Sequence, residues 1–133
     1  MSGYGYSADE RPIVKHVPDL DLAYILQRYK EVHDANHVLL NYGTSVSEEI
    51  AVKWFEMMQT GLPLPALSAF VGPLNVIANQ EGVELWTTYL PHIMRNKNAK
   101  FFMTTYFEEC LDMKISDLRR QMGIVPLPAQ QVK

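Results

Sequence analysis

Five residues, Asn41-Tyr42-Gly43-Thr44-Ser45, separate two stretches of helical periodicity, and that short span constrains the fold more than any other feature of the chain. Upstream, Pro18-Asp19 reads as a helix start. Leu22, Ile25, Leu26, Tyr29, Val32 and Leu40 follow at spacings that place them on one helix face. Asn41 and Gly43 read as the end of this helix, because both tolerate the left-handed conformation that closes helices. Downstream, Ser45 with Glu48 three residues later forms a capping box. The second helix then runs through Trp54, Phe55 and Met57 and stops at Gly61-Leu62-Pro63. So short a connection predicts an antiparallel helix hairpin.

A third helix is expected from about Leu74 to Leu90, closed by Pro91, with "RNKNA" as a loop. A last long helix is expected from about Phe101 to Met122, ending at Gly123. Arg119 and Arg120 suit the negative end of its dipole, and Pro126 and Pro128 keep the tail non-helical. The pattern predicts an all-α fold: a single compact helical domain of about four helices with a central antiparallel helix hairpin. Residues 1–10 and 125–133 read as tails, and no internal repeat or low-complexity tract is visible. With 133 residues, 47% apolar and 20% charged, the chain can bury a real core and is too apolar to be disordered.

A formal charge of −3, with Arg119-Arg120 as the one adjacent basic pair, argues against a nucleic-acid partner. The single cysteine, Cys110, excludes an internal disulfide and a thiolate-rich zinc site. It has no basic neighbour in "FEECLDM" and reads as a buried apolar residue. "MSGYGYSADERP" has neither the apolar core of a secretory signal nor the Arg-rich, acid-poor pattern of a transit peptide. Residues 57–80 carry no charged side chain, yet Pro63, Pro65 and Pro73 would break a membrane-spanning helix repeatedly. A buried or lipid-touching stretch is the expectation there.

"HDANH", residues 33–37, holds the chemistry. At about 100° per residue, His37 lies about 40° from His33 and Asp34 about 100° from it. An i, i+4 histidine pair can address one ion, as on the metalloprotease helix. His37 lies four residues before Asn41 and Glu49 four after Ser45, so each stands roughly 6 Å from the turn, at the same level of a hairpin. Two imidazoles and two carboxylates suit zinc or another divalent ion. The same residues also fit a solvated helix edge with a Glu49–Lys53 pair, and spacing leaves both readings open. His16 and His92 read as surface or capping histidines. Trp54, Phe55, Met57 and Met58 read as core or partner contacts.

The run "RYKEVHDANH", and eleven residues later "EIAVKWFEMMQTGLPLPALSAFVGPL", resembles the Coq-four family of ubiquinone (coenzyme Q) biosynthesis proteins. The likeness continues through "TTYFEE" and "DLRRQMGI" and covers roughly Arg11 to Ile124. The family signature, HDxxH, eleven residues and Glu, is met by His33, Asp34, His37 and Glu49, which the resemblance implies as ligands of a zinc-type site. It also implies a mostly helical protein, peripheral on the matrix face of the mitochondrial inner membrane, within an assembly of ubiquinone biosynthesis proteins. The implied activity is metal-dependent C1 decarboxylation of a 4-hydroxy-3-methoxy-5-polyprenylbenzoate-type precursor, a polyprenylated aromatic lipid. Lys53, Tyr42 and Glu56 are candidate proton donors by proximity. The alternative is a non-catalytic prenyl-lipid-binding scaffold, and an oligomer is compatible with either. The chain departs from the family pattern at Asn75, where many members have arginine, and at Pro91-His92, where they have Pro-Trp. The resemblance also implies a further helical segment before the matched region, which is not expected within these 133 residues.

Overall fold

The computed structural model describes residues 17–61 and 80–128. Among them the chain is all-α, with four helices and no strand. The charge-free stretch after Gly61, the expected start of the third helix and His16 lie outside the described residues. No helix among the described residues is long and apolar enough to cross a membrane.

α1 spans Leu20–Leu40. Asp19 caps its N-terminus by accepting from the Asp21 and Leu22 amides, and Asn41 closes it in the left-handed region at φ 62°. α2 spans Val46–Thr60, with the Ser45/Glu48 capping box formed and Gly61 closing it at φ 66°. Both helices therefore start and stop where their capping residues require. The apolar face expected along α1 is only partly used. Val32 and Leu40 are buried, whereas Leu22 and Ile25 are exposed. α1 has 21 residues and α2 15, so α1 outruns its neighbour by about 9 Å.

The third helix does not end at Pro91. It has an α-helical start, Gln80–Glu84, a π-helical turn, Leu85–Tyr89, and an α-helical end, Leu90–Arg95; together these form α3. Proline lacks an N–H and clashes with the carbonyl four residues back in an α-register. In the π-turn the Leu90 amide donates to Leu85 O, five residues back. The helix thus changes register just before Pro91 and continues past it. The expected long final helix is also corrected. Phe102–Thr104 and Phe107–Cys110 form short 3₁₀ turns, and only Ile115–Met122 is α-helical, here α4. Gly123 ends it at φ 70°, as expected.

The core draws on every element: Leu39 and Leu40 from α1, Val52 and Phe55 from α2, Leu85 and Ile93 from α3, and Phe102 and Met122 beyond. Phe55 and Phe102 stack with centroids 6.2 Å apart. Arg119 does more than complement its own helix. Its guanidinium donates to Leu39 O at 2.9 Å and Val38 O at 2.6 Å, two carbonyls at the C-terminal end of α1. The tail adds a further tie, from the Leu127 amide to Leu40 O at 3.0 Å.

Candidate metal centre

His33 and His37 project from the same side of α1, and Glu49 from the first turn of α2 meets them. Glu49 Oε1 lies 3.0 Å from His33 Nε2, and Oε2 lies 3.0 Å from His37 Nε2. The two Nε2 atoms are 3.3 Å apart, with the rings edge to face. The histidine side chains are 16% and 13% exposed and Glu49 46%, so the carboxylate forms the solvent-facing side of the cluster.

The opposite ring nitrogens decide what these atoms can do. His37 Nδ1 donates to Gly43 O at 2.8 Å; a carbonyl only accepts, so this nitrogen carries the proton. His33 Nδ1 sits 2.6 Å from Glu56 Oε1. Glu56 is fully buried, and it also accepts from the Tyr29 hydroxyl, from Asn36 Nδ2 at 3.2 Å and from Lys53 Nζ at 3.3 Å. Burial alone would raise its pKa. The hydrogen bond and charge of His33, the hydrogen bond from Tyr29 and the charge of Lys53 outweigh that and hold it below the ordinary carboxylate value. An ionised Glu56 fixes the proton of His33 on Nδ1.

Both Nε2 lone pairs and both Glu49 oxygens then face one another. Only a positive charge among them, an ion or a proton, satisfies all four. His33, His37 and Glu49 offer one ligand atom each within 4.8 Å of one another. The backing of each imidazole by a carboxylate or a backbone carbonyl is the usual outer-shell arrangement of metal-binding histidines. The donor set fits zinc or another divalent ion with coordination positions left open.

Asp34 does not join the three; it is exposed on α1. Lys53 reaches Glu56, three residues on, while Glu49 engages the histidines. Glu56 is a buried acceptor with four donors around it, which corrects its reading as a proton donor. Tyr42 is buried too: its hydroxyl meets His92 Nδ1 at 2.6 Å, and His92 Nε2 donates to Val125 O at 2.7 Å. His92 is therefore a core histidine, not a surface or capping one. Cys110 is half-buried, its Sγ 3.5 Å from Tyr106 O. Spacing gave no sign of the Gly43 carbonyl. Glu56 did leave a signal, an acid two helical turns beyond Glu49 inside the apolar run "KWFEMM".

Fold and cluster together define an all-α chain with a histidine–carboxylate cluster whose ligand atoms are close enough to hold one metal ion. A family model for the coenzyme Q (ubiquinone) biosynthesis protein Coq4 matches residues 1–128, and the chain belongs to that family. It is 49% identical over 126 residues to a Paramecium tetraurelia protein named ubiquinone biosynthesis protein COQ4 homolog 2, mitochondrial. Mitochondrial COQ4 homologues of Nematostella vectensis and Homo sapiens are 42% and 40% identical over 129 and 123 residues. These alignments cover 94%, 95% and 92% of this chain but 59%, 62% and 46% of the relatives, so it spans about half of their length. No solved structure matches it.

Proposed function

We propose that the chain acts in coenzyme Q biosynthesis as a metal-dependent lyase. In this reading His33, His37 and Glu49 hold a divalent ion, with zinc the best match to the donors. The substrate is a 4-hydroxy-3-methoxy-5-polyprenylbenzoate-type acid that loses its C1 carboxyl group. The observation that carries the proposal is the convergence of both Nε2 atoms on the Glu49 carboxylate, each imidazole held from behind by an acceptor. An ion bound there supplies a Lewis acid for the oxygen anions of the substrate. By family likeness the protein works peripherally at the matrix face of the mitochondrial inner membrane, with other proteins of the pathway.

The residues around the cluster divide the remaining tasks. Glu56 and Gly43 O hold the imidazole rings and their tautomers. Lys53 places a cation 3.2 Å from the His33 ring, where it would draw in an anionic acid. When the C1–carboxyl bond breaks, its electron pair stays on the ring carbon, a proton takes that pair, and carbon dioxide leaves. Of the three candidate donors, Glu56 is ionised and Tyr42 is hydrogen-bonded to buried His92, which leaves Lys53.

Metal content of the purified protein tests the centre, with His37→Ala beside it. A stoichiometric divalent ion lost in His37→Ala supports the reading, whereas a metal-free wild type sinks it. Asp34→Asn tells a three-residue ligand set, which keeps its metal, from a four-residue set. Incubation with a prenylated hydroxybenzoate then tests the reaction. Carboxyl loss that requires Glu49 supports the lyase, and unchanged but tightly held lipid supports the scaffold alternative instead.

A further inference from the structure

A backbone carbonyl orients a histidine only as well as its own peptide is held. Gly43 O, which takes the His37 Nδ1 proton, lies in the turn between α1 and α2, and two systems outside the histidine–carboxylate cluster grip that turn. Glu48 is the first. Its carboxylate accepts from the Ser45 amide at 3.1 Å, which is ordinary capping-box geometry, and from the Ser45 hydroxyl at 2.7 Å. Gly43 and the Tyr89 hydroxyl also lie close enough to help hold this carboxylate ionised, which a capping box does not require. The approach to Gly43 is close: a Cβ there would stand 2.8 Å from Glu48 Oε2. The second system is the Tyr42–His92–Val125 chain, and the Tyr42 and Tyr89 rings meet edge to face at 5.2 Å. Tyr89 and His92, three residues apart, share a face of α3, and Tyr89 is the last residue of the π-turn. The extra residue of that turn sets the phase in which both side chains reach the α1–α2 connection.

The geometry points to Tyr89 and Glu48 as positioning residues for His37: together they fix the α1–α2 turn around Gly43, whose carbonyl keeps the imidazole proton on Nδ1 and the Nε2 lone pair on the ion side. This rests on the reading of His33, His37 and Glu49 as a metal centre. The grip itself has a readout without metal, the His37 tautomer.

The test compares the 133-residue protein with Tyr89→Phe, which keeps the ring and loses the hydroxyl, and with Glu48→Gln, which keeps a capping acceptor. Thr87→Ala is the control; it lies in the same π-turn, and among the described residues its hydroxyl bonds within α3, to Val83 O at 2.8 Å. Long-range nitrogen–proton NMR correlations on metal-free protein read the His37 tautomer, and competition with a chromophoric chelator reads zinc affinity. The expected result is a His37 Nδ1 that stays protonated in wild type and Thr87→Ala, and one that is protonated only in part of the population in the two grip variants. Their zinc affinity should fall about tenfold, the lower end for outer-shell partners. Wild-type tautomer and affinity in both grip variants would overturn the inference. A tautomer change in a protein that binds no zinc would uphold the grip and remove the metal reading. Equal zinc binding by every variant, with tautomers unchanged, would do the reverse.

Discussion

Glu56 is the residue on which the candidate centre depends most. A fully buried carboxylate is costly unless donors surround it, and here Tyr29, His33, Asn36 and Lys53 do so. Two of these donors lie on the His33 side of the cluster, so the same bonds that keep Glu56 ionised also aim His33 Nε2 at Glu49. Glu56→Gln keeps the shape and removes the charge. Zinc affinity should then fall about 10- to 100-fold, as measured by chelator competition. Glu56→Ala leaves Lys53 without its buried partner and should cost about 3–5 kcal/mol in urea unfolding. The sequence put forward His33, Asp34, His37 and Glu49 because their spacing is local, and packing brings three of the four together. It could not rank Glu56 among its acids, since burial and donor count are properties of packing.

At the scale of elements, the ends of α1 and α2 were legible because capping is a contact among neighbours in sequence. Ser45→Ala removes the acceptor for the Glu48 amide and should lower stability by about 1 kcal/mol, seen as a lower urea midpoint at unchanged slope. The later elements were not legible. Pro91 reads as a stop only if the helix is assumed to stay in α-register, and the π-turn voids that assumption. The stretch Phe101–Met122 is helical in composition, but tertiary bonds claim its first part. Gln59 Oε1 accepts from the Phe102 amide at 3.1 Å, and Arg28 Nη2 donates to Thr105 O at 2.6 Å. Those long-range partners hold it as 3₁₀ turns.

Across the whole molecule, His92 joins α3, the α1–α2 turn and the tail. Burial lowers its pKa, as does the Arg95 charge, and together they outweigh the carbonyls of Val125 and Pro126, which favour the proton. The unfolded chain takes up this proton near 6.5, the folded chain only at lower pH. Between the two the unfolded state holds more protons, so stability declines as pH falls below 6.5 and is regained on raising it. His92→Phe should flatten that part of a urea-midpoint profile against pH. Phe55→Ala, which opens the centre of the core against Phe102, should cost about 3–5 kcal/mol in the same measurement. The sequence by itself determined the all-α class, the limits of α1 and α2, and a set of four candidates, His33, Asp34, His37 and Glu49, that contains the three that meet. Each of those depends on separations of a few residues, which helix geometry converts directly into position. Tertiary structure alone decided the register of α3, the 3₁₀ path before α4, the burial of Glu56 and His92, and the hold on Gly43. The 3₁₀ path and the burial of Glu56 and His92 rest on bonds between residues 20 to 80 positions apart, and no local period carries information about such partners.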